Sequence, residues 1–336
     1  MGWMESLGYA QQAQGAHSWD LCHQWLEQAL RDCENQDPHR RCLVMNNLGV
    51  LFRRLHDTDQ AVHCFERALE GCQEPWLRGR IFANWAVLEH RRGQLNQARR
   101  YYQDALNGCS EPPEDELAAA RICLNFAWLH LQQDRQVQAD TLLKRARQLV
   151  QLHPEDSLLE CRLHLGLARS AQTQKRLAKA EIEILQSIRV AQKLGYFEPI
   201  VHSQARASLA NCYSLQAVSQ LENPDTRQDG VERSQQAEIL FAEALSLLLD
   251  WGHRHSFEYV EAISLQVDHW IRMKQWQQAE DSLQKLLAMV TEMTTLETTF
   301  KAGAWERAAL VLRQLEQHEL ADLAVQQFQA LSVTKK

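Results

Sequence analysis

The chain has 336 residues, of which 45% are hydrophobic and 24% are charged, and its formal net charge is −7. This balance is typical of a globular protein that buries a core, and it excludes an intrinsically disordered chain. The acidic excess argues against wholesale nucleic-acid binding, because that function needs a basic surface.

Glycine and proline are few, at 13 and 7 residues, and the rest of the composition favours helix almost throughout. The nine cysteines include no C-x-x-C pair, which indicates the reduced thiols of a cytoplasmic protein rather than a disulfide framework. The sequence contains no apolar run of about 18 residues or more, so we expect no membrane insertion.

In chain order, the sequence repeats one pattern of small and large residues. The clearest copy is NNLGVLFRRLHDTDQAVHCFERAL, residues 46–69, in which Leu48 and Gly49 are followed by Ala61 and Phe65. The other copies contain Ala10, Cys22, Leu26 and Ala29; Trp85, Ala86, Ala98 and Tyr102; Phe126, Ala127, Ala139 and Leu143; Leu167, Ala168, Ala180 and Ile184; Leu209, Ala210, Ala237 and Phe241; Val267, Trp270, Ala279 and Leu283; and Ala309, Leu312, Ala321 and Val325.

This pattern resembles that of the tetratricopeptide repeat family, in which each unit is a helix-turn-helix hairpin. The resemblance covers nearly the whole chain and is strongest over residues 42–191. Most units here span 37 to 42 residues, measured between the small residues that begin successive second helices. In this respect they resemble the extended repeats of kinesin light chains and of bacterial peptide-sensing regulators. The resemblance implies an all-α, right-handed solenoid of about eight hairpins.

The repeats predict a single solenoid over residues 1–336, with degenerate units over 255–333. The fifth unit contains an insertion at about 214–236, and the stretch LENPDTRQDG at 221–230 has the composition of a loop. Prolines support the boundaries because a proline rarely lies inside a helix. Those that fall between units are Pro38, Pro75, Pro112, Pro113, Pro154 and Pro199.

Small residues at the repeat positions predict where the two helices of one hairpin approach each other closely. Their large neighbours are then expected to fill the space between units. Gly49 is therefore interpreted as a packing residue and not as part of a phosphate-binding loop. We expect most of the ten tryptophans to lie in the core as well.

The sequence lacks the catalytic motifs that a helical repeat protein could still contain. It has no G-x-x-x-x-G-K-[ST], no G-x-S-x-G and no H-E-x-x-H. We therefore predict that the protein is not an enzyme and that it has no cofactor and no metal site.

The tetratricopeptide resemblance implies that the first helices line a concave groove. Asn47, Asn84 and Asn125 occupy the same position in three successive units. In kinesin-light-chain-like repeats an Asn at this position holds the main chain of an extended peptide, and a carboxamide can both donate and accept hydrogen bonds. The neighbouring Asn46 has no such counterparts. The alternative is structural, because an Asn here can also hydrogen-bond between helices.

Arginines accompany the asparagines on the same helical faces. Arg80 and Arg121 each stand four residues before an Asn, and Arg162 continues the row. Arginine binds carboxylates through paired hydrogen bonds, so the expected ligand is an acidic extended segment, unless these side chains are simply solvated. The remaining predicted groove residues are Arg53, His90, Trp128 and Arg169.

The leading hypothesis is a non-catalytic adaptor or scaffold that binds an extended, acidic segment of a partner protein in its first four units. One alternative is a regulator that responds to a small peptide, as the bacterial peptide sensors do. Another is an assembly factor that acts through its convex face or its degenerate last units. The sequence does not specify the partner or the oligomeric state.

Overall fold

The computed structural model describes residues 2–15, 18–33, 38–55, 57–109, 116–194, 198–293, 296 and 298–333. These residues form sixteen α-helices and no strand, which confirms the predicted all-α solenoid of helix-turn-helix hairpins. The helices are α1 (Trp3–Gly15), α2 (Trp19–Cys33), α3 (Pro38–Arg54), α4 (Thr58–Glu70), α5 (Pro75–Arg91), α6 (Leu95–Gly108), α7 (Glu116–Gln132), α8 (Gln136–Leu152), α9 (Ser157–Thr173), α10 (Leu177–Ala191), α11 (Pro199–Leu221), α12 (Arg227–Asp250), α13 (Phe257–Arg272), α14 (Trp276–Glu292), α15 (Thr298–Gln314) and α16 (His318–Val333).

The chain divides into two compact units, Met1–Leu129 (unit 1) and His130–Lys336 (unit 2). The sequence prediction of one continuous solenoid stays a prediction. In unit 1 the hairpins are α1/α2, α3/α4 and α5/α6, and in unit 2 they include α9/α10, α11/α12, α13/α14 and α15/α16.

First helices of successive hairpins contact one another within each unit. In unit 1, α3 contacts α5, and in unit 2, α11 contacts both α9 and α13. Among the described residues no pair of successive second helices makes contact to a comparable extent. Within each unit the first helices therefore lie on the inner side of the curve.

The small and large repeat residues form the core as predicted. Gly49 shows the reason, because a Cβ atom placed there would lie 2.6 Å from Cε1 of Phe65 on the other helix of its hairpin. Phe65 and Phe241 are completely buried, and Tyr102 is 1% exposed. The small residues near the start of the second helices are all fully buried: Ala61, Ala98, Ala139, Ala180, Ala237, Ala279 and Ala321.

Five of the turns between the two helices of a hairpin share one backbone geometry. Gly93 has a φ of 76°, and the equivalent turns place Asp134, Lys175, Lys274 and Glu316 at φ of 55° to 60°. A left-handed residue at this point ends the first helix and reverses the chain. Three predicted boundary prolines, those that open α3, α5 and α11, stand at the first position of a helix. Pro112 and Pro113 lie outside the described residues.

The predicted loop at residues 221–230 is shorter than expected. The helix α11 continues to Leu221, and α12 already begins at Arg227, so the extra residues lengthen both helices of the hairpin. Gly230, which suggested a loop, lies inside α12, where a Cβ atom would meet the backbone nitrogen of Leu221 at 2.9 Å. Its small size serves the close approach of two helices rather than a turn.

Among the described residues no helix has the length and the apolar character needed to cross a membrane.

Candidate functional site

Arginine is the main charged residue of the first helices α3 and α5 in unit 1. The helix α3 contains no acidic residue, and α5 contains a single one, Glu89. The arginines of these two helices are Arg40, Arg41, Arg53, Arg54, Arg78, Arg80 and Arg91.

Two donors inside unit 1 bind the carboxylate of Glu89. Glu89 is 5% exposed, and its Oε1 accepts hydrogen bonds from Trp85 Nε1 at 3.0 Å and from Arg92 Nη1 at 2.9 Å. A buried carboxylate held by two donors adds little negative potential to the surface. The charge that the first helices α3 and α5 present is therefore mainly that of their arginines.

Aromatic rings orient several of these arginines. The guanidinium of Arg54 lies 5.5 Å from the ring centroid of Trp19, and that of Arg40 lies 5.4 Å from the centroid of Trp3. Arg80, an exposed residue of the predicted site, lies 5.8 Å from the ring of Trp76. The face of an aromatic ring attracts the positive charge of a guanidinium and helps to hold it in position.

A pair of asparagines joins the first helices α3 and α5. The Nδ2 of Asn84 donates to Oδ1 of Asn46 at 3.0 Å, and Asn46 is only 1% exposed. The sequence prediction grouped Asn84 with Asn47 and gave Asn46 no role. The structure assigns Asn46 the role of fixing the register of two successive hairpins.

The other two predicted asparagines differ in their surroundings. Asn47 is half-buried, and its Nδ2 donates within its own helix to the carbonyl oxygen of Leu43 at 3.0 Å. Asn125 is exposed on α7, as is Arg121 one turn before it. Both residues belong to unit 1, whereas the exposed Arg162 belongs to α9 of unit 2. Their contact with a peptide stays a prediction.

The rings of His90 on α5 and Trp128 on α7 contact each other in unit 1. Their ring centroids lie 4.9 Å apart, with His90 only 4% exposed and Trp128 half-buried. The ring of His90 also meets that of Tyr102 edge-on, at 6.3 Å. His90 is thus packed under Trp128 and is less open to solvent than a groove position would be.

Unit 2 uses its first helices differently, because ion pairs and hydrogen bonds cross-link them. Arg307 of α15 forms two hydrogen bonds with the carboxylate of Asp268 on α13, at 2.6 and 2.8 Å. Arg272 of α13 donates to Asn211 Oδ1 at 3.1 Å and to Ser214 Oγ at 3.0 Å, both on α11. These contacts engage the cations with partners inside the unit.

Arg169, a predicted groove residue, takes part in the same cross-linking. Its Nη2 lies 2.6 Å from Oε1 of Glu261, so the pair connects α9 with α13 across two hairpins of unit 2. The sequence prediction missed Glu261, which lies 92 positions further along the chain. Arg169 therefore has a carboxylate partner within the protein.

We expect the pair to contribute about 1 kcal/mol to the stability of unit 2, since both side chains are partly exposed to solvent. A double-mutant cycle with Arg169→Ala and Glu261→Ala, followed by urea denaturation, measures this coupling. Arg206→Ala with Glu243→Ala is the control, because that pair lies at 3.1 Å and its carboxylate is more exposed. A coupling energy of zero for Arg169 and Glu261 would contradict a structural role and restore Arg169 as a candidate ligand contact.

Within the described part of the chain, no three His, Cys, Asp or Glu side chains group in a way that could hold a metal ion. All nine cysteines are buried thiols.

Comparisons with known proteins agree with this architecture. The family model described as tetratricopeptide repeat matches residues 2–74. No curated protein matches the sequence. Among solved structures, a Rap protein complexed with competence and sporulation factor is 12% identical, with a TM-score of 0.66, and the match covers 99% of this chain and 98% of that one.

Two further structures show the same fold. The apo form of RapI is 13% identical, with a TM-score of 0.55 and coverage of 96% of this chain and 85% of that chain. BtubC (BKLC) from P. vanneervenii is 13% identical, with a TM-score of 0.50 and coverage of 74% and 92%, respectively. At these identities the similarity establishes the fold alone.

Proposed function

We propose a function on the premise that the chain is a tetratricopeptide-repeat protein. The fold of these proteins supports a role in protein–protein interaction. The proposed function is that of a non-catalytic adaptor or scaffold that binds an extended, acidic segment of a partner protein. The binding surface is the first-helix face of unit 1, formed by α3, α5 and the part of α7 that belongs to this unit.

The observation that supports this proposal is the charge of α3 and α5. These helices contain seven arginines and one acidic residue, Glu89, which is held internally by Trp85 and Arg92. The protein as a whole has a net charge of −7, so the excess of arginine on these two helices is a local feature. Arginines at a surface attract carboxylates and orient them through paired hydrogen bonds.

The proposed cations are exposed arginines of unit 1. Arg80 and Arg121 are exposed on α5 and α7, and we keep them as the primary cations of the proposed site, with Arg162 as an untested extension. In unit 2, Arg169, Arg272 and Arg307 donate to Glu261, Asn211 and Asp268 on other first helices.

The asparagines then take separate roles in the proposal. Asn84 donates through Nδ2 to Asn46, so its Oδ1 is the atom that would accept from a peptide N–H. Asn125 is exposed and can contribute both its donor and its acceptor. Asn47 already donates to Leu43 within its own helix, and we expect it to contribute least.

We predict that replacing Asn84 and Asn125 together by alanine weakens partner binding by at least about tenfold, because two main-chain hydrogen bonds of the ligand are lost. The measurement is affinity purification from the native cell with wild-type bait, followed by titration of the recovered partner against the double variant. Asn96→Ala is the matched control, since Asn96 is exposed on the second helix α6. Retention of every partner at wild-type strength would overturn the proposal.

A second candidate is a peptide-responsive sensor, favoured by the match to Rap structures over nearly the whole length of both chains. In that case a bound peptide would change the arrangement of the repeats, and a second protein would read the change. Small-angle scattering of the protein with each binding peptide tests this idea. Curves that stay identical with and without a bound peptide would contradict it.

A further inference from the structure

Tyr102 carries a buried hydroxyl group whose chemistry the packing of unit 1 does not use. The side chain lies on α6, is 1% exposed, and stacks on Phe126 with ring centroids 5.3 Å apart. Its oxygen, Oη, has no hydrogen-bond partner among the described residues. A buried hydroxyl without a partner loses its hydration without compensation, so a phenylalanine would pack here at lower cost. The hydroxyl therefore points to something that is absent from the isolated chain.

The charges of two arginines on the successive first helices α3 and α5 act on this hydroxyl. Asn46 and Asn84 are in direct contact, and Arg53 and Arg91 each stand seven residues further along the same two helices. Seven residues are close to two helical turns, so both arginines lie on the face of α3 and α5 that bears the asparagine pair.

The charges of both arginines act on the pKa of the Tyr102 hydroxyl. Burial raises the pKa of the Tyr102 hydroxyl, while the charges of Arg53 and Arg91 act on it in the opposite direction. Both charges that act on the hydroxyl are cationic, and with its raised pKa the group stays protonated at neutral pH. The site therefore combines two positive charges with one neutral O–H donor.

Aromatic rings close one side of the site. His90 meets Tyr102 edge-on, and Trp128 covers His90 at a centroid distance of 4.9 Å. Excluding water from this side lowers the local dielectric constant, which strengthens the attraction between an arginine and an anion.

We infer that Arg53, Arg91 and the hydroxyl of Tyr102 form a binding site for one oxoanionic group, a carboxylate or a phosphate. An oxoanion offers acceptor oxygens to both guanidinium groups and to the hydroxyl at the same time. The inference rests on the proposed function in one respect: the group would belong to an acidic residue of the bound segment and would fix that segment in register. Binding of the free anion itself is independent of that function.

The test is a calorimetric titration of the full-length protein, in a buffer free of phosphate and carboxylates, with inorganic phosphate in one arm and glutarate in the other. We expect saturable binding in at least one arm, and the stronger arm identifies the kind of oxoanion. Tyr102→Phe, Arg53→Gln and Arg91→Gln should each weaken that binding by about tenfold or more. Arg100→Gln is the matched control, because Arg100 is exposed on the same helix as Tyr102.

Tyr102→Phe also provides a readout that does not depend on binding. Without anion, this variant should be at least as stable to heat as the wild type, because it removes a hydroxyl that has no partner. Added anion should then raise the melting temperature of the wild type and not that of the variant. A variant that melts below the wild type without anion would show an internal partner for the hydroxyl and overturn the inference.

The inference is also overturned if neither anion saturates up to tens of millimolar, or if Tyr102→Phe binds as the wild type does. Failure of the proposed function looks different. If the wild type binds the free anion saturably while Asn84→Ala with Asn125→Ala leaves partner binding unchanged, the peptide site alone is contradicted.

Discussion

Replacing Gly108 by alanine is expected to lower the free energy of unfolding by about 2 to 3 kcal/mol, because the close approach of two helices leaves no room for a methyl group. A Cβ atom at Gly108 would lie 2.6 Å from the carbonyl oxygen of Pro75 and 2.8 Å from Cα of Gly79. Both atoms belong to the backbone of α5, which cannot rotate away as a flexible side chain could. The helices α5 and α6 would have to separate, and the packing between them would be lost.

Urea denaturation followed by circular dichroism measures this effect. Gly8→Ala is the matched control, since Gly8 lies inside α1 and a Cβ atom there meets nothing within 4 Å. Alanine has a higher helix propensity than glycine, so the control should be more stable than the wild type by up to about 1 kcal/mol. Equal stability of Gly108→Ala and the wild type would contradict the close contact between α5 and α6.

Gly49 and Gly108 show how far the sequence alone can predict the packing. Gly49 occupies a repeat position, and other units place alanines there, so its role against Phe65 follows from the periodicity. Gly108 stands at the end of α6, where the repeat has no fixed residue type. Its partner, Gly79, is 29 positions away, and nothing in the pattern connects the two. Shared repeat positions were predictable, whereas contacts specific to one hairpin were not.

The same limit applies to the candidate site, where shared repeat positions could be predicted and contacts specific to one hairpin could not. The repeats place the arginines and asparagines of unit 1 on first helices, and the sequence predicts this much correctly. Whether Asn84 pairs with Asn46 or aligns with Asn47 depends on a shift of one residue between two hairpins. A one-residue shift turns a helix by about 100°, which decides between a buried contact and a solvent-facing one. Periodicity alone does not fix hairpin register to this accuracy.

Long-range ion pairs were beyond the reach of the sequence for a different reason. Arg169 and Glu261 meet although the hairpin α11/α12 lies between α9 and α13 in the chain. Their contact depends on the summed rotation of intervening repeats, to which every packed residue contributes. A charge pattern can show that Arg169 faces inward, but it does not show that a carboxylate of the same chain reaches it.

Among the described residues of unit 2, the largest expected effect of acidification comes from His269. Its side chain on α13 is fully buried, between the rings of Phe241 at 5.8 Å and Trp270 at 4.8 Å. Burial, with a smaller contribution from the charge of Arg272, lowers the pKa of His269 from 6.5 to about 4. The folded state therefore holds this imidazole neutral where an unfolded chain would protonate it.

The sign of the effect follows from where the proton binds. Between pH 6.5 and pH 4 the imidazole of residue 269 binds a proton in the unfolded state, whereas His269 of the folded state remains neutral. The free energy of unfolding therefore falls as the pH falls. The stabilising contribution is fully present above pH 6.5 and amounts to about 3 kcal/mol, from a shift of about 2.5 pKa units at 1.36 kcal/mol each. It has disappeared at about pH 4.

Glu238 has to be separated from this effect, because its Oε1 lies 3.9 Å from Nε2 of His269. Burial raises the pKa of Glu238, so folding favours its protonated form. The contribution of Glu238 to the pH dependence of stability therefore opposes that of His269. His269→Phe removes the imidazole and leaves Glu238 in place. Urea denaturation across this pH range should therefore show a smaller loss of stability on acidification in the variant than in the wild type. The control is His63→Phe, at an exposed position of α4, which should keep the pH dependence of the wild type. Identical profiles of stability against pH for His269→Phe and the wild type would show that His269 is not held neutral in the folded protein.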